Sequence, residues 1–213
     1  MACAFFAGAQ DQMQGTLSLM NQASASFKGL TADVVKTHYE KVVNDTDVAK
    51  GTMVVRKVKP KEFQILYTET EPDPQQIEYR GHTGTLYNPK TNTYRDRTDK
   101  EWGDAISQLM VLGFGSSSAE LQEGYTITGS TADTVAGRRA TRLDLKPKKP
   151  DTKFQIVRVE LWISDETGIA IQQKLYQLNG SWDLVTYSNM KLRPGITDSE
   201  VKLKLPPGAK QVK

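Results

Sequence analysis

Val157-Arg158-Val159-Glu160-Leu161-Trp162-Ile163 decides the fold class: Val157, Val159, Leu161 and Ile163 alternate with Arg158, Glu160 and Trp162. A period of two puts one set on a buried sheet face and the other on the opposite face. Asp165-Glu166-Thr167-Gly168 then turns the chain, and a second strand-like run extends from Ile169 to Leu178. Asn179-Gly180 supplies the next turn, because both residues tolerate the positive φ of a tight hairpin. Trp182 to Arg193 follows. Val201, Leu203 and Leu205 alternate with Lys202 and Lys204 before Pro206-Pro207-Gly208, which predicts a closing strand.

The same pattern extends towards the N-terminus. Thr31 to Val43 and Val48 to Val58 are rich in β-branched residues and flank the turn cluster Asn44-Asp45-Thr46-Asp47. In Glu62 to Thr70, Phe63, Ile65 and Tyr67 alternate against polar neighbours. Gln75 to Arg80, Thr85 to Asn88 and Thr93 to Thr98 continue the meander, punctuated by Gly81-His82-Thr83-Gly84 and Pro89-Lys90-Thr91-Asn92. Strands resume at Tyr125.

Two helical segments interrupt this β pattern. Met13, Leu17, Met20, Ser24 and Phe27 recur at steps of four and three, predicting a helix from about Met13 to Lys28 that stops at Gly29. Near Asp99 a second begins: Trp102, Ala105, Ile106, Leu109, Met110 and Phe114 share a face, and Gly113-Phe114-Gly115 ends it. Ser116 to Glu123 reads as a further short helix, with Ser116–Ser118 as caps and Glu120 nearby. Mainly β with helices is therefore the expected class. One apolar strand face needs a cover, and helices laid on the concave side of a bent sheet provide it. The stripes fit a plain packed core as well, although Met13, Met20 and Met110 make them adaptable, as at promiscuous apolar sites.

Composition narrows the function. A chain of 213 residues suits a single domain, and at this size about 70% of the unfolded surface is buried. The formal charge of +3 is too even for a dedicated nucleic-acid binder. Cys3 is the sole cysteine, so neither an internal disulfide nor a multi-thiolate metal site can form. No run approaches the ~20 apolar residues of a membrane span. Ala7-Gly8-Ala9 has the small-x-small pattern cut by signal peptidase. Residues 1–9 thus read as a signal-peptide remnant and 10–213 as the mature domain; a loose apolar terminus or a lipidated Cys3 are the alternatives.

Catalytic constellations are missing. His38 and His82 have no second His or Cys at ligand spacing, so neither metal nor cofactor is expected, and both are expected at the surface. There is no Gly-x-Ser-x-Gly elbow. Glu69, Glu71 and Asp73 stand beside two prolines, where a solvated loop is expected rather than a cleft that would split their pKa values. Arg138, Arg139, Arg142, Lys146, Lys148, Lys149, Lys153 and Arg158 concentrate positive charge without interleaved aromatics over 138–153. They suit anionic headgroups, an acidic partner or, more simply, a strand edge guarded by charge. Lys146-Pro147-Lys148-Lys149-Pro150 reads as a solvated hairpin loop. The chain is expected not to be an enzyme.

The order of elements is similar to that of the LolA-type outer-membrane lipoprotein carriers. Val54-Val55-Arg56-Lys57-Val58-Lys59-Pro60-Lys61-Glu62-Phe63 resembles the family's strand, basic residue, proline and aromatic. Arg80 to Pro89 resembles its glycine turn, aromatic strand and Asn-Pro, and Leu203-Lys204-Leu205-Pro206-Pro207-Gly208 its closing strand and proline turn. The resemblance implies an incomplete antiparallel β-barrel of about eleven strands lidded by short helices, with a helical insertion at about 100–123. It implies a monomeric periplasmic carrier of lipoprotein acyl chains or another lipid, loaded by an inner-membrane release complex and unloaded at an outer-membrane acceptor. A lipid-binding or lipoprotein-sensing module without a transfer step has the same fold. On this reading Leu17, Met20 and Phe27, with Trp102, Ile106, Leu109 and Met110, face a cavity closed by Phe63, Ile65 and Tyr67. Lys59 stands where family members carry arginine before the proline; it would be a switch or partner contact without arginine's planar fork.

Overall fold

The structure, a computed structural model, describes residues 3–81, 83–98, 112–149 and 155–212, with side chains from residue 11. The elements are α1 (Cys3–Ser26), β1 (Gly29–Glu40), β2 (Asp45–Lys59), β3 (Glu62–Glu71), β4 (Gln75–Arg80), β5 (Thr83–Asn88), β6 (Thr93–Thr98), α2 (Ser118–Gly124), β7 (Tyr125–Val135), β8 (Arg138–Pro147), β9 (Ile156–Ser164), β10 (Ala170–Gln177), β11 (Trp182–Leu192) and β12 (Lys210–Gln211). The strands form one sheet in the order β12-β6-β5-β4-β3-β2-β1-β11-β10-β9-β8-β7. β12 and β7 are its two edges, so the sheet is not closed, consistent with the incomplete barrel that the family resemblance implies. The chain falls into two compact units: Met1–Ser26, His38–Thr46 and Val111–Thr186 form the first, and Phe27–Thr37, Asp47–Met110 and Tyr187–Lys213 the second.

In the first unit the alternation that opens the sequence reading sets the layers. Leu143 and Leu145 pair with Leu161 and Val159 across β8 and β9; these four and Ile163 are almost wholly buried. Burial of each is worth roughly 1.5–3 kcal/mol over exposure. Helices α1 and α2 pack against β7, and α1 also against β8. Helix α1 is fastened by polar contacts: the Ser24 hydroxyl donates to the Gly115 carbonyl at 2.6 Å, and Asn21 Oδ1 accepts from the Ser118 amide at 2.8 Å. A capping box joins Ser117 and Glu120 at the start of α2, so the serines and glutamate serve as the sequence predicts. Gly168 (φ +67°) turns β9 into β10 so close to α1 that a Cβ there would lie 2.4 Å from the Leu19 carbonyl oxygen. The turn needs the left-handed backbone and the helix needs the missing side chain.

The opposite face of the same strands is not bare. The Trp162 indole donates to Asp133 at 2.8 Å, Tyr176 donates to Glu160 at 2.8 Å, and Arg158 pairs with Asp144 at 3.0 Å and with Glu160. Desolvation, and then the Glu160 carboxylate, push the Tyr176 phenol up to about 12. Arg142 meets Asp144 at 3.6 Å and Glu160 at 3.9 Å. The expectation of a charge-guarded edge is therefore corrected: β7 lies outside β8, and Arg142 and Arg158 neutralise acids within the sheet.

In the second unit, Met53 and Val55 of β2 pair with Tyr67 and Ile65 of β3, which pair with Ile77 and Tyr79 of β4. Directly opposed residues share a sheet face, so these make one apolar surface. On the other face Arg56 donates to Gln64 at 2.8 Å, and Arg80 grips Asp198 at 2.7 Å. The expected closing strand over Val201–Leu205 does not form. Asp198, in a short 3₁₀ turn, is held by Arg80 and lies 3.8 Å from Arg56. The following residues bury Val201 and Leu203 without joining a ladder. Alternation reports burial on one side of an extended chain, not hydrogen bonding along it. β12 instead pairs in parallel with β6.

Three other expectations shift. The first turn occupies 41–44 rather than 44–47, so Val42 and Val43, strand-like by propensity, are exposed turn residues. Glu69 lies within β3 on the face of Phe63, Ile65 and Tyr67; it is buried and accepts from Gln75 at 3.1 Å and Tyr67 at 3.4 Å, whereas Glu71 and Asp73 are exposed as expected. His38 is half-buried, its Nδ1 3.0 Å from Asp183. His82 lies outside the described residues.

Candidate functional site

Helix α1 brings Met13 and Leu17 to one side, one helical turn apart, together with the polar Gln14, Ser18 and Asn21. Opposite them stand Ser118 and Gln122 of α2 and Tyr125, Thr126 and Ile127 of β7. Between these walls runs a groove of about 590 Å³, within the ordinary range for small-molecule sites, about 300–1,000 Å³. Lys148, at the end of the β8 hairpin, closes one side: its amide donates to the Gly124 carbonyl at 2.9 Å and its ammonium to the Gln122 carbonyl. The lining is amphipathic. Met13, Leu17, Tyr125 and Ile127 offer an apolar strip, and the remaining side chains offer hydrogen bonds at its margins.

Of the residues expected to line a cavity, Leu17 lines this groove. Met20, on the same helix, is buried in the first unit with 1% of its surface exposed. Phe27 follows the end of α1 and belongs to the second unit, where its ring lies 6.4 Å from that of Phe63. Helical spacing thus overshoots by one step: the chain leaves the helix after Ser26. Phe63 and Ile65 are buried and Tyr67 is half-buried on the second unit's apolar face. Burial, and then the neighbouring Glu69, raise the Tyr67 phenol well above its ordinary value, and burial does the same to Tyr187. Trp102, Ile106, Leu109 and Met110, with the first half of the expected insertion 100–123, lie outside the described residues; its described part runs from Leu112 into α2.

Lys59 ends β2 at the surface, where its ammonium meets Glu62 at 2.8 Å. The hydrogen bond and charge of Glu62 raise its pKa, so it stays a cation. Tyr125, Ile127 and Lys148 have no place in the sequence reading of the site. The alternation of Tyr125 and Ile127 marks one face of β7, but nothing in it says which helix that face meets.

An open, mostly antiparallel sheet with helices packed on it and a groove beneath the first helix is the class of fold to which the chain belongs. The chain belongs to the LolA family: the model described as outer membrane lipoprotein carrier protein LolA matches residues 25–203. Membership makes the chain a lipoprotein-carrier-like binding fold of the extracytoplasmic space. No curated protein matches it in sequence. Among solved structures, an uncharacterized conserved protein from Thermus thermophilus superposes with a TM-score of 0.57 at 10% identity, covering 94% of this chain and 98% of that one. LprF from Mycobacterium bovis gives 0.51 at 12% identity, covering 94% and 99%. MucB gives 0.55 at 13% identity, covering 93% of this chain and 63% of its own, so the chain spans less than two thirds of MucB. At such identities the likeness is one of fold.

Proposed function

We propose that the protein is an exported periplasmic carrier that shields the acyl chains of lipoproteins and passes them towards the outer membrane. The observation that carries this reading is the amphipathic groove under α1, with Met13, Leu17, Tyr125 and Ile127 as its apolar strip, in a chain of the LolA family. Burying acyl chain yields about 0.8 kcal/mol per methylene, so complete enclosure of two or three chains would make release very slow. An open groove with polar margins gives partial shielding, which suits a protein that must let go. The working cavity extends, on this proposal, to the stripe Leu17, Met20 and Phe27, the insertion residues Trp102, Ile106, Leu109 and Met110, and the strand face of Phe63, Ile65 and Tyr67. Lys59 is proposed as a switch or partner contact, and an inner-membrane release complex and an outer-membrane acceptor as its partners.

A second reading is a binding or sensing module without a transfer step. The polar margins of the groove favour it, and MucB of Pseudomonas aeruginosa, a relative in fold, forms a complex with MucA. Native mass spectrometry of the protein isolated from its host's periplasm separates the two. Lipoprotein bound in stoichiometric amount is the expected result. Free phospholipid alone, or a protein partner without acyl chains, would overturn the carrier reading.

A further inference from the structure

The β1–β2 and β10–β11 turns, and the described residues Lys148, Lys149 and Gln155 between β8 and β9, lie at the same end of the first unit's strands. They are tied together there. The Lys41 amide donates to Ser181 Oγ at 3.1 Å, Ser181 Oγ donates to Glu40 at 2.8 Å, and the Leu178 amide donates to the Gln155 carbonyl at 2.9 Å. Gly180 is so close to Lys41 that a Cβ would lie 2.5 Å from the lysine's Cδ. This rim points large apolar side chains outward: Val42 is 82% exposed, Val43 69% and Leu178 70%. Scattered exposed apolar residues are ordinary, but three on adjoining turns form a patch. Behind it, Trp182 stacks on Tyr39 at 5.5 Å, and the Lys174 ammonium sits 4.0 Å above the indole. Beside it, Lys41, Lys148 and Lys149 are exposed. Of the acids flanking the turn, Glu40 accepts from Ser181 and from the Val42 amide and Asp45 accepts from the Thr46 amide, while Asp45 and Asp47 are exposed at the start of β2.

Apolar tips, a Trp–Tyr pair set just behind them and flanking lysines form the layered arrangement that matches a bilayer interface: acyl boundary, headgroup level, anionic surface. We propose that this rim is a membrane-docking edge, seating Val42, Val43 and Leu178 in the headgroup–acyl boundary of an anionic bilayer while Lys41, Lys148 and Lys149 meet its headgroups. Lys148 also closes the groove under α1, so docking brings the groove to the lipid surface. The proposal goes beyond the carrier reading and holds for any cargo.

Sedimentation of the full chain with vesicles tests it. Wild type is expected to pellet with phosphatidylcholine vesicles containing phosphatidylglycerol, and at least tenfold less with phosphatidylcholine alone. The triple variant Val42→Ser, Val43→Ser, Leu178→Ser should lose at least tenfold in vesicle binding with an unchanged melting temperature, since all three positions are exposed. Lys148→Gln with Lys149→Gln should lose the preference for phosphatidylglycerol. Wild type that fails to bind either vesicle, a triple variant that binds like wild type, or a rim that captures a protein partner but no vesicle would each overturn the proposal.

Discussion

Lys59 shows how little a motif fixes before its neighbours are known. Before Pro60 it matches a family position that carries arginine, yet its ammonium contacts Glu62 at the surface. A lysine makes a single directed contact where arginine's fork could hold two, so any switch built on it is a weak, easily broken tether. Lys59→Leu is expected to slow acyl-chain handover several-fold while leaving uptake near wild type, because the groove under α1 is untouched. Paired uptake and release assays with a fluorescent acyl probe measure this, and equal rates in both would make Lys59 an ordinary surface lysine. Glu69 carries the opposite lesson. Its sequence neighbours are exposed acids, but two residues from Tyr67 it shares the buried strand face, where a tyrosine and a glutamine satisfy its carboxylate.

Among elements, α1, α2 and β7 border the groove and the other strands form the frame. The stripe of α1 divides after one turn: Leu17 borders the groove, Met20 is packed, and Phe27 has left the helix. The insertion helix is proposed to complete the lid, and Ile106→Glu tests whether it borders cargo space. A carboxylate introduced into a close-packed core is left unpaired and costs several kcal/mol. In a wettable cavity the same group finds water, so stability changes little while apolar binding fails. The expected result is a melting temperature within a few degrees of wild type together with at least tenfold weaker binding of an acyl probe. Collapse of the fold, with no acyl binding by the wild type, would leave Ile106 a structural residue.

For the molecule as a whole, several of its ties are carboxylates held in ionised form. Hydrogen bonding from Arg80 lowers the pKa of Asp198, the Thr197 backbone and hydroxyl with Arg193 lower that of Glu200, and the Trp162 indole lowers that of Asp133. A carboxylate whose folded pKa lies below its unfolded one stabilises the native state above the unfolded value, about 4, and loses that contribution as pH falls through the folded value. Thermal stability should thus drop below about pH 4, and Asp198→Asn should make that drop shallower. Because Asp198 is exposed, its share is small; melting curves across the acid range measure it, and identical slopes for the two proteins would remove Asp198 from the account.

Periodicity alone determined that this chain is a β meander with a leading helix and a short helix before Tyr125, since side chains alternate every two residues on any half-buried strand and every three or four on any amphipathic helix. It also marked Phe63, Ile65, Tyr67 and Leu17 as inward-facing, and Ser116–Ser118 with Glu120 as a helix start. It left open what each buried face would meet. The groove joins α1 to Tyr125 and Ile127, more than a hundred positions away, and no local pattern encodes that distance. The membrane-facing rim was hidden for the same reason. Val42 and Val43 have the β-branched character of strand residues, and the tertiary contacts of Lys41 and Glu40 with Ser181 turn the chain early enough to leave them in solvent.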